Sequence, residues 1–244
     1  MTRESYHDTE QHSPDNVVWN WQILAEVGNI QAQLKLALIY DHGDETVRDP
    51  GRALSWYRKA ADHGNADAQC ILGLKYYKGR HVEVNYLEAA HYFLLAADQG
   101  NADAQLFLAM MFESGQGVTQ NIEAAFSLYK KSSLQGNALA QFSLGMLYEQ
   151  GAQAVSGSEA IPADRARAVA CYRIASASGN LAARGYCEAL ADQLSPGDQI
   201  LAESFATMHD ITGAEDIDHF VSHSSILTPL LKKKAKLVYC ATMG

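Results

Sequence analysis

Three small groups of side chains in this 244-residue sequence have types and spacings that could support chemistry. Ser127-Leu128-Tyr129-Lys130 is an SxxK, in which a lysine one helical turn away could serve an acylating serine. No companion SDN or KTG follows it. His219 and His223 stand four residues apart beside Asp216 and Asp218, a spacing that places two metal ligands on one helical face. Without a further fixed ligand this segment reads as a solvated surface. Asp41-His42-Gly43 and Asp62-His63-Gly64 carry the same triplet. There is no zincin helix motif, phosphate loop, dinucleotide fingerprint or GxSxG elbow. Cys70, Cys171, Cys187 and Cys240 form no CxxC or other compact ligand spacing. The sequence therefore predicts no catalytic residue, no metal site and no cofactor.

Charge narrows the classes further. The chain carries 19 Lys plus Arg against 28 Asp plus Glu, a net of −9. Four of the lysines (Lys232, Lys233, Lys234 and Lys236) lie in residues 231–244, which hold no acid, so residues 1–230 carry −13. An acidic body argues against phosphate-backbone binding, which needs clustered cations to displace counterions. Apolar residues make up 48% of the chain, enough to bury a core. The first fifteen residues are polar and lack an apolar signal region, and no run approaches the ~20 apolar residues of a membrane span. A reduced, cytoplasmic protein is expected.

The elements that must position any site follow from an internal period. Gly-Asn recurs at 28–29, 64–65, 100–101, 136–137 and 179–180, with three steps of 36 residues and one of 43. In that register Leu36, Leu72, Leu108 and Leu144 share a column, as do Ala37, Gly73, Ala109 and Gly145. Tyr57, Phe93, Tyr129 and Tyr172 form another, flanked by columns of alanine. Each unit reads as two helices. Gly43, Gly79, Gly115 and Gly151 close the first, and Asp49, Asn85, Asn121 and Asp164 cap the second. The register also explains the SxxK: its counterpart is Ser55-Trp56-Tyr57-Arg58, an ordinary stretch of second helix. The two Asp-His-Gly triplets fall in different columns, which argues against a shared role.

The boundaries are then a disordered tail over 1–15, a capping helix over 16–27, and repeats at 28–63, 64–99, 100–135 and 136–178. Seven extra residues sit in the fourth repeat's loop. Capping helices follow over 179–207, and a divergent basic tail over 208–244.

Segments such as GNADAQCILGLKYYKG and RALSWYRKAADHG resemble the Sel-one-like repeat family, relatives of the tetratricopeptide repeat, over residues 28–178. The resemblance implies an all-α, right-handed α-solenoid of antiparallel helix pairs with first helices lining a concave face. It implies a protein–protein interaction adaptor of bacterial type. Some cysteine-rich members of the family are described as β-lactam-binding or -hydrolysing. This chain departs from that branch: Cys70 stands where one half-cystine would lie, and Ala61 occupies its partner column.

If tetratricopeptide geometry carries over, the partner-facing stripe is the seventh, eleventh and fourteenth residue of each unit. These are Leu34, Leu38 and Asp41; Cys70, Leu74 and Tyr77; Leu106, Met110 and Glu113; and Phe142, Met146 and Glu149. The inner positions are apolar and adaptable, and the outer ones are mostly acidic, which favours a basic peptide or protein. The same side chains could instead pack neighbouring first helices together. The expected function is an adaptor binding such a partner. The alternatives are an inhibitor or immunity-type protein masking one partner, and, by family analogy, a β-lactam or acyl hydrolase. The segment PLLKKKAKLVY reads as a solvated terminus, with marginal membrane contact or folding back into the acidic groove as further options.

Overall fold

The computed structural model describes residues 14–151 and 161–212, with side chains described for 18–151 and 161–207. Eleven helices and no strand occur among the described residues, in the order α1 (Pro14–Glu26), α2 (Ile30–His42), α3 (Pro50–Asp62), α4 (Ala66–Lys78), α5 (Tyr86–Asp98), α6 (Ala102–Ser114), α7 (Ile122–Leu134), α8 (Ala138–Gln150), α9 (Arg165–Ala177), α10 (Leu181–Ala191) and α11 (Pro196–Thr212). Consecutive helices pack in pairs, the α-solenoid expected from the period. His219, His223 and the basic tail lie outside the described residues.

The recurring Gly-Asn is a stop followed by a start. Gly28, Gly64, Gly100, Gly136 and Gly179 all take positive φ, between 84° and 97°, where a Cβ would be strained. The asparagine that follows turns its side-chain oxygen onto the third residue of the next helix. Asn29, Asn65, Asn101, Asn137 and Asn180 accept from the backbone N–H of Ala32, Ala68, Ala104, Ala140 and Ala183 at 2.8–3.2 Å. The second helices are capped in the same way by Asp49, Asn85, Asn121 and Asp164. Gly43 differs from the other closing glycines, with φ −61°; it is needed because a Cβ there would lie 2.5 Å from the Ile39 carbonyl oxygen.

The loop between paired helices is pinned at a constant point. The N–H groups of Asp49, Asn85 and Asn121 donate to the carbonyls of Tyr40, Tyr76 and Phe112. Asp164 donates to Tyr148 at 2.7 Å in the same manner, so the longer fourth loop returns the chain to register.

By contact the chain divides into two compact units. The first runs from α1 to Leu108 in α6, with Gln116–Thr119; the second comprises Ala109–Gly115 and the chain from Gln120 onward. In the first unit Leu36, Tyr57, Leu72 and their alanine neighbours form one buried cluster, with Val18 and Trp21 of α1 packed against it. In the second, Val169, Tyr172, Leu190 and Ala202 form the core that holds α9, α10 and α11 together. Gly73 and Gly145 admit the aromatic of the paired helix: a Cβ at either would sit 2.7 or 2.6 Å from the ring of Phe93 or Tyr172.

The glutamine of each GNxxAQ segment ties consecutive repeats. Gln33, Gln69, Gln105 and Gln141 are buried, and each donates through Nε2 to a carbonyl near the end of the preceding helix, that of Ala25, Ala61, Ala97 or Ser133. The Gln33 oxygen pairs with Nδ1 of His63 at 3.0 Å, and that of Gln69 accepts from Gln99 at 2.7 Å. His63 is thereby a structural partner, while His42 is exposed beside Asp41.

Candidate partner-binding surface

The seventh position of the stripe goes inward. Leu34, Cys70 and Leu106 are buried, and Phe142 is half-buried. Burial pushes the Cys70 thiol up to about 12, helped by the charges of Asp103 and Asp67. Cys171 is likewise raised to about 12, by burial first. Cys70, Cys171 and Cys187 are free, and the two raised thiols are poor nucleophiles near neutral pH.

The eleventh position stays accessible in every repeat: Leu38, Leu74 and Met146 are half-buried and Met110 is exposed. Leu38 also packs on the core of the first unit, and Met146 on that of the second, as Phe142 does. These four are apolar side chains left partly in water, the ordinary raw material of a contact surface.

The fourteenth position has a structural partner in each repeat. Tyr57 donates to Asp41 at 3.2 Å, Tyr129 to Glu113 at 2.6 Å, and Tyr172 to Glu149 at 2.7 Å. Each buried tyrosine of the second helix thus finds its hydrogen-bond acceptor in the acid of the first. Asp41 also receives Nζ of Lys75 at 2.8 Å, with both side chains about nine-tenths buried. Burial alone would raise the Asp41 pKa; the hydrogen bond and charge of Lys75, with His42 and Tyr57, outweigh it and hold the carboxyl below its ordinary range. Burial, then the Asp41 charge, moves the Tyr57 hydroxyl upward.

The second repeat has Phe93 in the tyrosine column and Tyr77 in the acidic one. Tyr77 gathers rings instead: Tyr86 at 5.5 Å between centroids, Phe107 at 6.3 Å and Phe93 at 6.4 Å, with its hydroxyl donating to Gln116 at 3.1 Å. Phe107 stacks on Phe93 at 5.4 Å, and Lys78 lies 5.9 Å from the Phe107 ring. Tyr86 is exposed and Tyr77 and Phe107 are half-buried, so the cluster reaches the surface. In the second unit Tyr186 of α10 is exposed and packs against Phe142 and Tyr172 at 5.2 and 5.6 Å. Phe107, Tyr86 and Tyr186 were not in the stripe deduced from sequence. Phe107 and Tyr186 share the eighth column, where Lys35, Ile71 and Ser143 stand elsewhere, and that aromatic pair was the available signal.

The other motifs do not assemble into a site. Ser127 is exposed on α7 with Lys130 half-buried one turn on, and the counterpart of Lys130, Arg58, donates to the Tyr76 hydroxyl at 2.8 Å. Among the described residues no three His, Cys, Asp or Glu side chains are arranged to hold a metal ion. No helix among them is long and apolar enough to cross a membrane.

The Sel1 repeat model matches four times, over residues 30–65, 66–101, 102–137 and 138–180, together more than half of the sequence. The chain belongs to the Sel1 repeat family. Among solved structures it is similar to a protective antigen present in uropathogenic Escherichia coli strains that displays an SLR fold, with TM-score 0.70 and 28% identity over 81% of this chain. That match spans 41% of the Escherichia coli protein. A Sel1 repeat protein from Oxalobacter formigenes is similar at TM-score 0.62 and 26% identity, over 81% of this chain and 79% of its own. Comparison with curated proteins gives no significant match. Sel1 repeats generally mediate protein–protein interaction on a typically non-catalytic scaffold.

Proposed function

We propose that this chain is a protein–protein interaction adaptor in which the first helices of each unit take up a peptide or protein with apolar anchors flanked by basic side chains. The observation that carries this reading is the eleventh position. Leu38, Leu74, Met110 and Met146 are all apolar and none is fully buried. Leu38 and Met146 pack partly on the cores of their units, while Leu74 and the exposed Met110 leave the most apolar surface free for contact. Leu34, Cys70 and Leu106, one helical turn earlier, are buried. Tyr77, Phe107 and Tyr186 add aromatic area, and aromatic anchors dominate binding energy at interfaces. Glu113 and Glu149 keep carboxylates at or near the surface in positions fixed by tyrosine, and with the acidic body they favour a cationic partner. The Asp41 side chain, by contrast, is largely buried and already paired with Lys75.

The test is the binding of labelled Leu- and Lys-containing peptides, read by fluorescence anisotropy, to wild type and to Met110→Glu with Tyr186→Glu. Both side chains are exposed, so helicity is expected to stay unchanged while affinity falls at least tenfold. Binding to wild type should weaken between low and moderate salt. Equal affinity in both proteins would remove this stripe from the interaction. Preference for acidic peptides would remove its proposed charge selectivity.

A further inference from the structure

The fourth repeat keeps its whole stripe within reach of a ligand. On α8, Phe142, Met146 and Glu149 stand at i, i+4 and i+7 on one helical face, and all three are half-buried. In the other repeats the seventh residue, Leu34, Cys70 or Leu106, is buried. The acid differs as well. Asp41 is met by Lys75, whereas Glu149 receives the Tyr172 hydroxyl on Oε2 at 2.7 Å and meets no cation among the described residues. Arg167 and Arg173 of α9 and Arg184 of α10 lie on other acids, Asp164, Glu203 and Glu188. The next first helix leaves room beside this ladder. In the columns of Phe142 and Met146, α10 carries Gly185 and Ala189, both exposed. A Cβ at Gly185 would meet nothing within 4 Å, so open space lies where the other units place a side chain. Glycine inside a helix weakens it, and this one fills no close contact. Tyr186, adjoining that gap, sets its exposed ring 5.2 Å from Phe142 and 5.6 Å from Tyr172.

From these features we infer that α8 and α10 form a subsite for one arginine side chain of the bound peptide or protein. The inference rests on the adaptor reading and names the cation that reading leaves open. The ladder runs from rings through a thioether to a carboxylate, over about 10 Å at 1.5 Å per residue. Arginine has the matching order: methylenes that lie along apolar surface and a charged head at their end. Its stem rests on Phe142, Tyr186 and Met146, and its guanidinium reaches Glu149. Charge complementarity selects a cation, because Glu149 lacks one and Asp192, in the same column of α10, is a second exposed carboxylate. The half-buried, ring-lined setting selects arginine over lysine. A guanidinium is flat and weakly hydrated and lies against aromatic rings, whereas an ammonium holds its water more tightly. With Oε2 held by Tyr172, Oε1 of Glu149 remains to accept from the guanidinium.

The experiment is a methyl NMR titration of the full chain, labelled at its methionine methyls, with N-acetylarginine amide as the probe. The Met146 signal is assigned through Met146→Leu. Wild type is expected to show a saturable shift at Met146 with a dissociation constant in the millimolar range, about what one side chain supplies. The citrulline amide, which has the shape without the charge, should bind at least about tenfold more weakly, and the lysine amide at least about threefold. Glu149→Gln still offers Tyr172 an acceptor and should lose the shift with its helicity unchanged. Tyr186→Leu, at an exposed position, should weaken binding at least about threefold. No saturable shift at Met146, an equal response to citrulline, or a shift retained in Glu149→Gln would overturn the proposal. Equal affinity for lysine would overturn the choice of arginine. The adaptor reading stands or falls separately. Leucine- and lysine-containing peptides that bind wild type and Glu149→Gln alike, with no arginine shift, would keep the adaptor and remove the subsite. An arginine shift without binding of any longer peptide would keep the subsite and remove the adaptor.

Discussion

Three repeats complete the fourteenth position with a tyrosine–carboxylate pair, and the second repeat does not. Where Tyr57, Tyr129 and Tyr172 present a hydroxyl, Asp41, Glu113 and Glu149 receive it. Where Phe93 presents none, the acid is replaced by Tyr77 and the site fills with rings. The same repeat carries Lys75 in a column otherwise occupied by Ile39, Met111 and Leu147, and this buried ammonium is met by Asp41 of the first repeat. The exchanges belong together. The acids on the first helices are placed by the needs of a buried hydroxyl or ammonium, and any attraction for a basic partner is added to that structural role.

The largest effect expected from breaking this contrast is at Lys75. Lys75→Met restores the apolar column but strands Asp41, and removing one member of a buried pair costs about 3–5 kcal/mol. The loss, measured by urea unfolding at pH 7, should shrink in acid. The Asp41 pKa is below its unfolded value, so its contribution is present above about pH 4 and is lost as pH falls through the folded pKa. A gap between wild type and Lys75→Met that widens below pH 4 would contradict the assignment.

Gly73→Ala comes next. The added methyl meets the Phe93 ring, and overpacking of this kind costs about 1–3 kcal/mol, readable as a lower urea midpoint with unchanged m. Tyr129→Phe should cost about 1 kcal/mol, because Glu113 is exposed and water replaces the lost donor in part. Placing the pair where it is absent, with Phe93→Tyr and Tyr77→Glu together, should be less harmful than the sum of the single changes in a double-mutant cycle. The smallest effect is a gain. The Gln141 oxygen is buried without a hydrogen-bond partner among the described residues, and Ser178 stands in the column that elsewhere supplies His63 or Gln99. Ser178→Gln should raise stability by up to about 1 kcal/mol in the same assay.

The period, the helix pairs and the second-helix caps were legible because they are local: a glycine at positive φ and a capping side chain act within a few residues. The capping role of the recurring asparagine is equally local but was not read from the sequence, although the Gly-Asn pair signalled it. The tyrosine–acid pairing spans 16 to 23 residues and could be seen only by comparing two columns together. Which stripe positions stay in water depends on the helix opposite, so the burial of Leu34, Cys70 and Leu106 and the exposure of Met110 needed the packed structure. Tyr86 and Tyr186 escaped notice for the same reason, since each meets its aromatic neighbours only through folding.

The central claim is that partners lie on the first helices, and photo-crosslinking within the second unit tests it most directly. A benzophenone side chain would replace Met110 on α6 or, as the comparison, exposed Ser127 on α7. The expected result is adducts with bound peptide from position 110 and none from 127. Adducts from 127 with none from 110 would place the interaction on the second helices and contradict the account.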